Sequence, residues 1–195
     1  MISLSLIHDR EGQSYKRALP EPLTPIREQH WRNSRMALEQ SLQQLSQGSK
    51  TFELPNSIDI EKHHHLKDNS NILVSLAHTR GAACATSAFK NQRLLGIGVD
   101  IEDSTRVVKE EIVSKYIDSR DKIDREYLRA WCAKEAAFKA ASYFWRGSKT
   151  FILKDITIDL EESDFQIKGL LNGCLSFHGE DRFLICTAIV NNIIL

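Results

Sequence analysis

The stretch Leu94-Leu95-Gly96-Ile97-Gly98-Val99-Asp100-Ile101-Glu102 is an apolar run that ends in two carboxylates. Its length and apolar character predict a buried β-strand. Because successive side chains of a strand point to opposite faces, Asp100 and Glu102 are expected on one face, about 7 Å apart at their Cα atoms. Gly96 and Gly98 mark positions where another backbone or a ligand approaches the strand closely.

Two acids at this spacing repel each other unless a cation lies between them. Magnesium binds hard oxygen ligands, usually a few carboxylates completed by water and substrate phosphates. Asp100 and Glu102 are therefore candidate magnesium ligands. The alternative is a solvated strand end, which is the commoner meaning of an isolated Asp-x-Glu motif.

On both sides of this strand the hydrophobic pattern predicts a mixture of helices and strands. Helices are predicted at 25–47, where Thr24 is placed to cap and Pro25 to begin the helix, and at 107–117 and 124–143. Strands are predicted at 2–7, 72–77, 82–89, 156–160, 166–171, 174–177 and 183–190, and the runs at 72–77, 82–89 and 94–101 are expected to form a meander. The order strand, helix, strands occurs twice, so the predicted fold class is α+β.

Composition limits the function further. The chain has 195 residues with 42% hydrophobic and 27% charged residues, which suits one compact body or two small half-domains. The 26 basic and 26 acidic residues balance, so no overall positive field favours nucleic acid. No apolar run is long enough to span a bilayer or to act as a signal peptide, and the four cysteines lack metal-site spacing. A cytoplasmic protein without a nucleic-acid or membrane partner is expected.

A second motif lies at Trp131-Cys132-Ala133-Lys134-Glu135-Ala136-Ala137-Phe138-Lys139. Trp131, Glu135 and Lys139 recur every four residues and share one face of the predicted helix. This could be an ordinary amphipathic helix with a Glu135–Lys139 salt bridge. The same spacing would also place a metal-binding acid beside a phosphate-binding cation.

Taken together, the two motifs resemble the signature of the 4'-phosphopantetheinyl transferases. The strand motif is Gly98-Val99-Asp100-Ile101-Glu102, and Glu135 of the helix motif follows Glu102 by 33 residues. Upstream, Val74-Ser75-Leu76-Ala77-His78-Thr79-Arg80-Gly81 is similar to the segment that precedes the metal strand in that family. The clear similarity runs from Ile72 to Lys139.

The resemblance is to the larger, surfactin-type branch of the family. It implies a monomeric pseudodimer of two similar α/β halves, here residues 1–93 and 94–195, with coenzyme A in the cleft between them. The implied reaction is that of a holo-acyl-carrier-protein synthase. It is magnesium-dependent transfer of 4'-phosphopantetheine from coenzyme A to a serine of an apo acyl or peptidyl carrier protein, releasing adenosine 3',5'-bisphosphate.

The resemblance also implies a role for individual residues. They are the magnesium ligands Asp100, Glu102 and Glu135; the coenzyme A-binding residues His78, Lys134, Lys139 and Arg35; and the catalytic residues Glu135 and Lys139. Glu135 is the first candidate for the general base that accepts the serine proton, with a water molecule as the alternative. The family's further acid would fall near Arg120, where Asp118 and Asp121 leave its assignment open. A basic rim that includes Lys115 and Arg120 is expected to steer an acidic carrier protein.

Two other functions remain open at the level of sequence. One is a magnesium-dependent enzyme that acts on another phosphorylated substrate. The other is a non-catalytic relative that binds carrier proteins, although a binding module has no need of three convergent acids. The sequence does not indicate whether the carrier belongs to fatty acid, polyketide or nonribosomal peptide synthesis.

Overall fold

The structure is a computed structural model that describes residues 2–8, 24–49, 52, 54, 58–61, 65–145, 149–167 and 169–193. The helices are α1 (Pro25–Gln47), α2 (Glu110–Tyr116) and α3 (Tyr127–Ala141). The strands are β1 (Ile2–His8), β2 (Ile60–Glu61), β3 (His65–Leu66), β4 (Asn69–Thr79), β5 (Ala82–Phe89), β6 (Gly96–Asp103), β7 (Ile156–Asp159), β8 (Asp164–Ile167), β9 (Leu171–Glu180) and β10 (Phe183–Ile193). Among the helices in these ranges, none is both long and apolar enough to cross a membrane.

The strands form two antiparallel five-stranded sheets, which confirms the α+β class. The first has the order β1-β5-β4-β3-β2 and the second the order β6-β10-β9-β8-β7. The predicted meander is therefore correct for β4 and β5 but wrong for β6, which pairs with β10 at the other end of the chain. Residues 90–95 connect β5 of the first sheet to β6 of the second. In this segment Leu94 is buried and packs with Leu73 and Ile97.

The long helices lie close to their predicted positions. Helix α1 spans 25–47 as predicted, and Leu38, Leu42 and Leu45 on its inner face are fully buried. Helix α3 begins three residues later than predicted, because Asp124 and Arg125 have φ angles of 36° and 64°. These left-handed conformations cannot be part of a right-handed helix.

The two sheets pack directly against each other along β4 and β6. The backbone N–H of Val99 on β6 donates to Ser75 Oγ on β4 at 3.1 Å. Side chains from both sheets then form a shared apolar cluster that includes Ala77, Ile101 and Ile185. Strand β6, which carries Asp100, consequently runs through the middle of the molecule.

Helix α3 lies unusually close to β6, and the two glycines of the strand allow this. A Cβ atom at Gly98 would lie 2.0 Å from the carbonyl oxygen of Ala136, and one at Gly96 would lie 2.4 Å from that of Ala140. The buried face of the helix consists largely of alanines, so the two backbones meet with little between them. The predicted close approach is confirmed, and the approaching group is a helix backbone.

We expect Gly98→Ala to destabilise the protein by roughly 3 kcal/mol, because the added methyl group forces α3 away from β6. Equilibrium unfolding in urea would measure the change. The matched control is Gly179→Ala on β9, where a Cβ atom meets nothing within 4 Å. Similar midpoints for the two variants would contradict this account of the strand–helix contact.

Candidate active site

The alternation of β6 places Asp100 and Glu102 in the interior, where they are 8% and 7% exposed. The close packing of α3 brings Lys139 to the same place. Its Nζ atom donates to Asp100 Oδ1 at 2.8 Å and to the carbonyl oxygen of Val99 at 3.0 Å. Lys139 thus forms its salt bridge with Asp100 on β6. It does not form the salt bridge with Glu135 that the helical spacing allowed.

Glu135 lies one turn before Lys139 and is half-buried. Its carboxylate makes no hydrogen bond or salt bridge with any residue that the structure describes. The negative charges of Asp100 and Glu102 nevertheless act on it. Glu135 is therefore an acid held close to other acids with both oxygens available to a ligand.

The three acids all have raised pKa values. Burial raises the pKa of Asp100, and the charge of Lys139 opposes the shift. Burial likewise raises the pKa of Glu102 and of Glu135, with the charge of Asp100 adding to both. For Lys139, burial acts against the charged form, but attraction and hydrogen bonding to Asp100 together with the charge of Glu135 outweigh it, and the pKa rises. A bound cation would relieve the repulsion among these carboxylates.

Arg106 belongs to the cluster but was not identified from the sequence. Its Nη1 atom donates to Glu102 Oε1 at 2.5 Å, and its guanidinium lies 5.2 Å from the ring centre of Trp131. A turn places it there: Asp103 Oδ1 accepts the backbone N–H of Thr105 at 3.0 Å and directs the chain back toward Glu102. Arg106 follows Glu102 by four residues, a spacing that predicts a contact only within a helix. The sequence therefore did not indicate that the two side chains meet.

Three cysteines surround Asp100. Cys84, Cys132 and Cys186 are all buried, and burial raises the pKa of each thiol. The Cys132 thiol donates to the carbonyl oxygen of Leu184 at 3.7 Å. Protonated thiols of this kind are poor nucleophiles, so we assign these three cysteines to packing.

Lys134 does not belong to the cluster, and this contradicts the prediction that it binds a phosphate. Its side chain is fully buried, with Nζ 2.6 Å from Asp121 Oδ2 and 2.6 Å from the carbonyl oxygen of Ile156. The ammonium is thus committed to an internal ion pair. Asp121 is equally buried, and Asp118 pairs with Arg120 at 2.6 Å, so both candidates for a further acid have structural partners.

The remaining predicted residues lie on the first sheet and its helix. His78, near the end of β4, is exposed, and its ring stacks on that of His30 from α1 with the centroids 4.4 Å apart. The guanidinium of Arg35 lies 5.6 Å from the ring centre of Trp31. Their contact with coenzyme A stays a prediction.

A groove of about 560 Å³ opens beside Glu135. It lies between α2, α3 and residues 151–153, and its wall is mostly apolar, with Trp131, Phe138 and Phe151 among the lining side chains. Lys115, predicted to belong to a basic rim, also lines it. The groove has room for an extended chain whose end reaches Glu135.

The donor chemistry of the cluster fits magnesium. Asp100 Oδ2 is buried and has no hydrogen-bond partner, which leaves an acceptor directed into the protein. Within the described part of the chain, however, no three His, Cys, Asp or Glu side chains form a ready-made metal site. Magnesium does not require one, because it is commonly held by one or two carboxylates and substrate phosphates.

The structure therefore brings together Asp100, Glu102, Glu135 and Lys139 from two motifs that are distant in sequence, and adds Arg106. It places Lys134 outside the cluster. No protein-family model matches the chain, and a search of the curated proteins finds no match either.

Proposed function

We propose that the protein transfers 4'-phosphopantetheine from coenzyme A to a serine of an apo carrier protein in a magnesium-dependent reaction. One observation carries the proposal: the two motifs that resemble this family converge in space. Lys139 on α3 donates a hydrogen bond to Asp100 on β6, and Glu135 and Glu102 lie near this pair. Residues that shared a motif only by chance would have no reason to meet.

We further propose that the chain is a pseudodimer. In support, both sheets have their first strand beside their fifth, in the orders β1-β5-β4-β3-β2 and β6-β10-β9-β8-β7. Each sheet also has a long helix packed on its first strand through small residues. Ser5 on β1 donates to the carbonyl oxygen of Ala37 on α1, and Gly98 on β6 faces Ala136 on α3.

In this proposal Asp100, Glu102 and Glu135 hold the magnesium ion. The ion, when bound, neutralises charge on the diphosphate of coenzyme A, and on the leaving group where that charge develops. Arg106 keeps the Glu102 carboxylate oriented through its charge-assisted hydrogen bond. Lys139 supplies an ammonium beside the diphosphate, where it can donate to a phosphate oxygen.

The chemical step is a substitution at phosphorus. The serine oxygen forms a bond to the β-phosphorus while the bond from that phosphorus to the adenosine bisphosphate oxygen breaks. The serine proton passes to Glu135, whose carboxylate has no hydrogen-bond partner among the described residues. The groove beside Glu135 would hold the pantetheine arm.

The test is to incubate the protein with coenzyme A, magnesium and a panel of apo carrier proteins, and to record the mass of each carrier. The expected result is a mass increase of one phosphopantetheine group that requires magnesium. Carrier binding without a mass increase would support a non-catalytic relative. Failure to bind coenzyme A, combined with magnesium-dependent turnover of another phosphorylated compound, would support a different enzyme.

We expect Lys139→Ala to weaken coenzyme A binding by about tenfold or more, which corresponds to the loss of a charge-assisted hydrogen bond. Alanine favours helix, so α3 should persist. Isothermal titration calorimetry would measure the dissociation constant, with the exposed Lys109→Ala as the control. An unchanged dissociation constant would remove Lys139 from the coenzyme A site.

A further inference from the structure

A second cavity lies between the two sheets, at the other end of β6 from the carboxylates. It has a volume of about 150 Å³ and is lined by residues that include His65, Asn71, Lys90, Gly96, Tyr143 and Phe144. It begins where β6 begins, at Gly96, whereas Asp100 and Glu102 lie near the end of that strand. None of its described lining residues also lines the groove beside Glu135 or belongs to the carboxylate cluster.

The described lining of this cavity carries positive charge and no negative charge. Lys90 contributes an ammonium, and no aspartate or glutamate is among the described residues that line it. The Lys90 side chain is exposed and makes no hydrogen bond or ion pair with the described residues. Its Nζ lies 5.9 Å from the ring centre of Tyr143, and its backbone N–H donates to the carbonyl oxygen of Asn71 at 2.8 Å. The backbone is thus fixed while the ammonium remains available.

Neutral donors lie around this ammonium. Ser70 and Asn71 supply a hydroxyl and an amide, and the ring of His65 packs edge-on to that of Tyr143 at 5.9 Å. Among the described residues, the site therefore has one cation, several hydrogen-bond donors and no competing carboxylate, which is the chemistry that recognises an anion.

We propose that this cavity binds a small oxyanion, the size of phosphate, sulfate or a short carboxylate. Its volume sets the size: a cavity of about 150 Å³ holds a molecule such as benzene, and a nucleotide is far larger. The bound anion contacts Asn71 on β4 and Lys90 just after β5, and Gly96 on β6 and Tyr143 just after α3. Binding therefore links the two sheets and stabilises the folded chain by mass action. This inference does not depend on the proposed transferase activity.

The experiment is a titration of the full chain with inorganic phosphate, sulfate and acetate in separate series, followed by amide chemical shifts. Shifts are expected at Asn71, Gly96 and Tyr143, with an accompanying rise in the melting temperature. Lys90→Met should weaken this binding by about tenfold or more. Lys90→Arg should retain it, and the exposed Lys109→Met should behave like the unmodified chain.

Phosphate could also bind at Lys139, so the two sites must be separated. Lys139→Ala should leave the shifts at Gly96 and Tyr143 unchanged, while Lys90→Met should remove them. The proposal is overturned if shifts occur only around Val99 to Glu102, if they persist unchanged in Lys90→Met, or if none of the three anions produces any shift.

Discussion

Replacing Asp100 by asparagine is expected to lower kcat/KM for phosphopantetheine transfer by about a thousandfold or more, while the protein stays folded. Asparagine has the shape of aspartate, and its amide oxygen can still accept the hydrogen bond from Lys139. It lacks the negative charge that a divalent cation needs. The loss of several kcal/mol of transition-state stabilisation corresponds to this factor, at about 1.4 kcal/mol per tenfold.

The matched control for this variant is Asp103→Asn, three residues along the same strand. Asp103 carries the same type of side chain, but it pairs with Thr105 and Arg182 outside the cluster. Asp103→Asn should retain most of the activity, because the amide oxygen can still accept the backbone N–H of Thr105 in the turn that positions Arg106. Circular dichroism of both variants would establish that they fold, and near-normal transfer by a folded Asp100→Asn protein would eliminate the magnesium site as proposed.

The parts of the cluster that depend on local periodicity could be predicted. The alternation of a strand placed Asp100 and Glu102 on one face, and the glycines before them indicated a close backbone. Helical spacing placed Glu135 and Lys139 on adjacent turns. These relations follow from the geometry of a single element, and they hold whatever that element packs against.

The partners of these elements could not be predicted, because they depend on chain crossings. The hydrophobic pattern was compatible with β6 as a third strand beside β4 and β5. After residue 90, however, the chain enters the second sheet, where β6 pairs with β10. Arg106 reaches Glu102 through a turn rather than a helix. Lys134 is adjacent to Glu135, and lysines are usually found at the surface. Nothing in the local sequence therefore indicated that its side chain is buried.

Substituting Lys134 by methionine is expected to destabilise the protein by roughly 3–5 kcal/mol, the usual effect of breaking a buried ion pair from one side. Methionine fills similar space, but Asp121 then remains buried without a cation. Among the described residues, its carboxylate then keeps the backbone N–H groups of Asp118 at 2.7 Å and Ile158 at 2.9 Å as hydrogen-bond donors. Chemical denaturation followed by fluorescence would measure the loss.

A second lysine–aspartate ion pair in the same molecule offers a matched comparison for this variant. Lys122 pairs with Asp159 at the same 2.6 Å distance, but its side chain is 71% exposed, whereas those of Lys134 and Asp121 are 0% exposed. Lys122→Met should scarcely change the unfolding midpoint, because water replaces the lost partner. Adding Asp121→Asn to Lys134→Met should recover much of the stability, since it removes the buried charge left behind. Equal effects of the two lysine substitutions, or no recovery in the double variant, would show that Lys134 acts through packing and that the Asp121 charge is not what requires it.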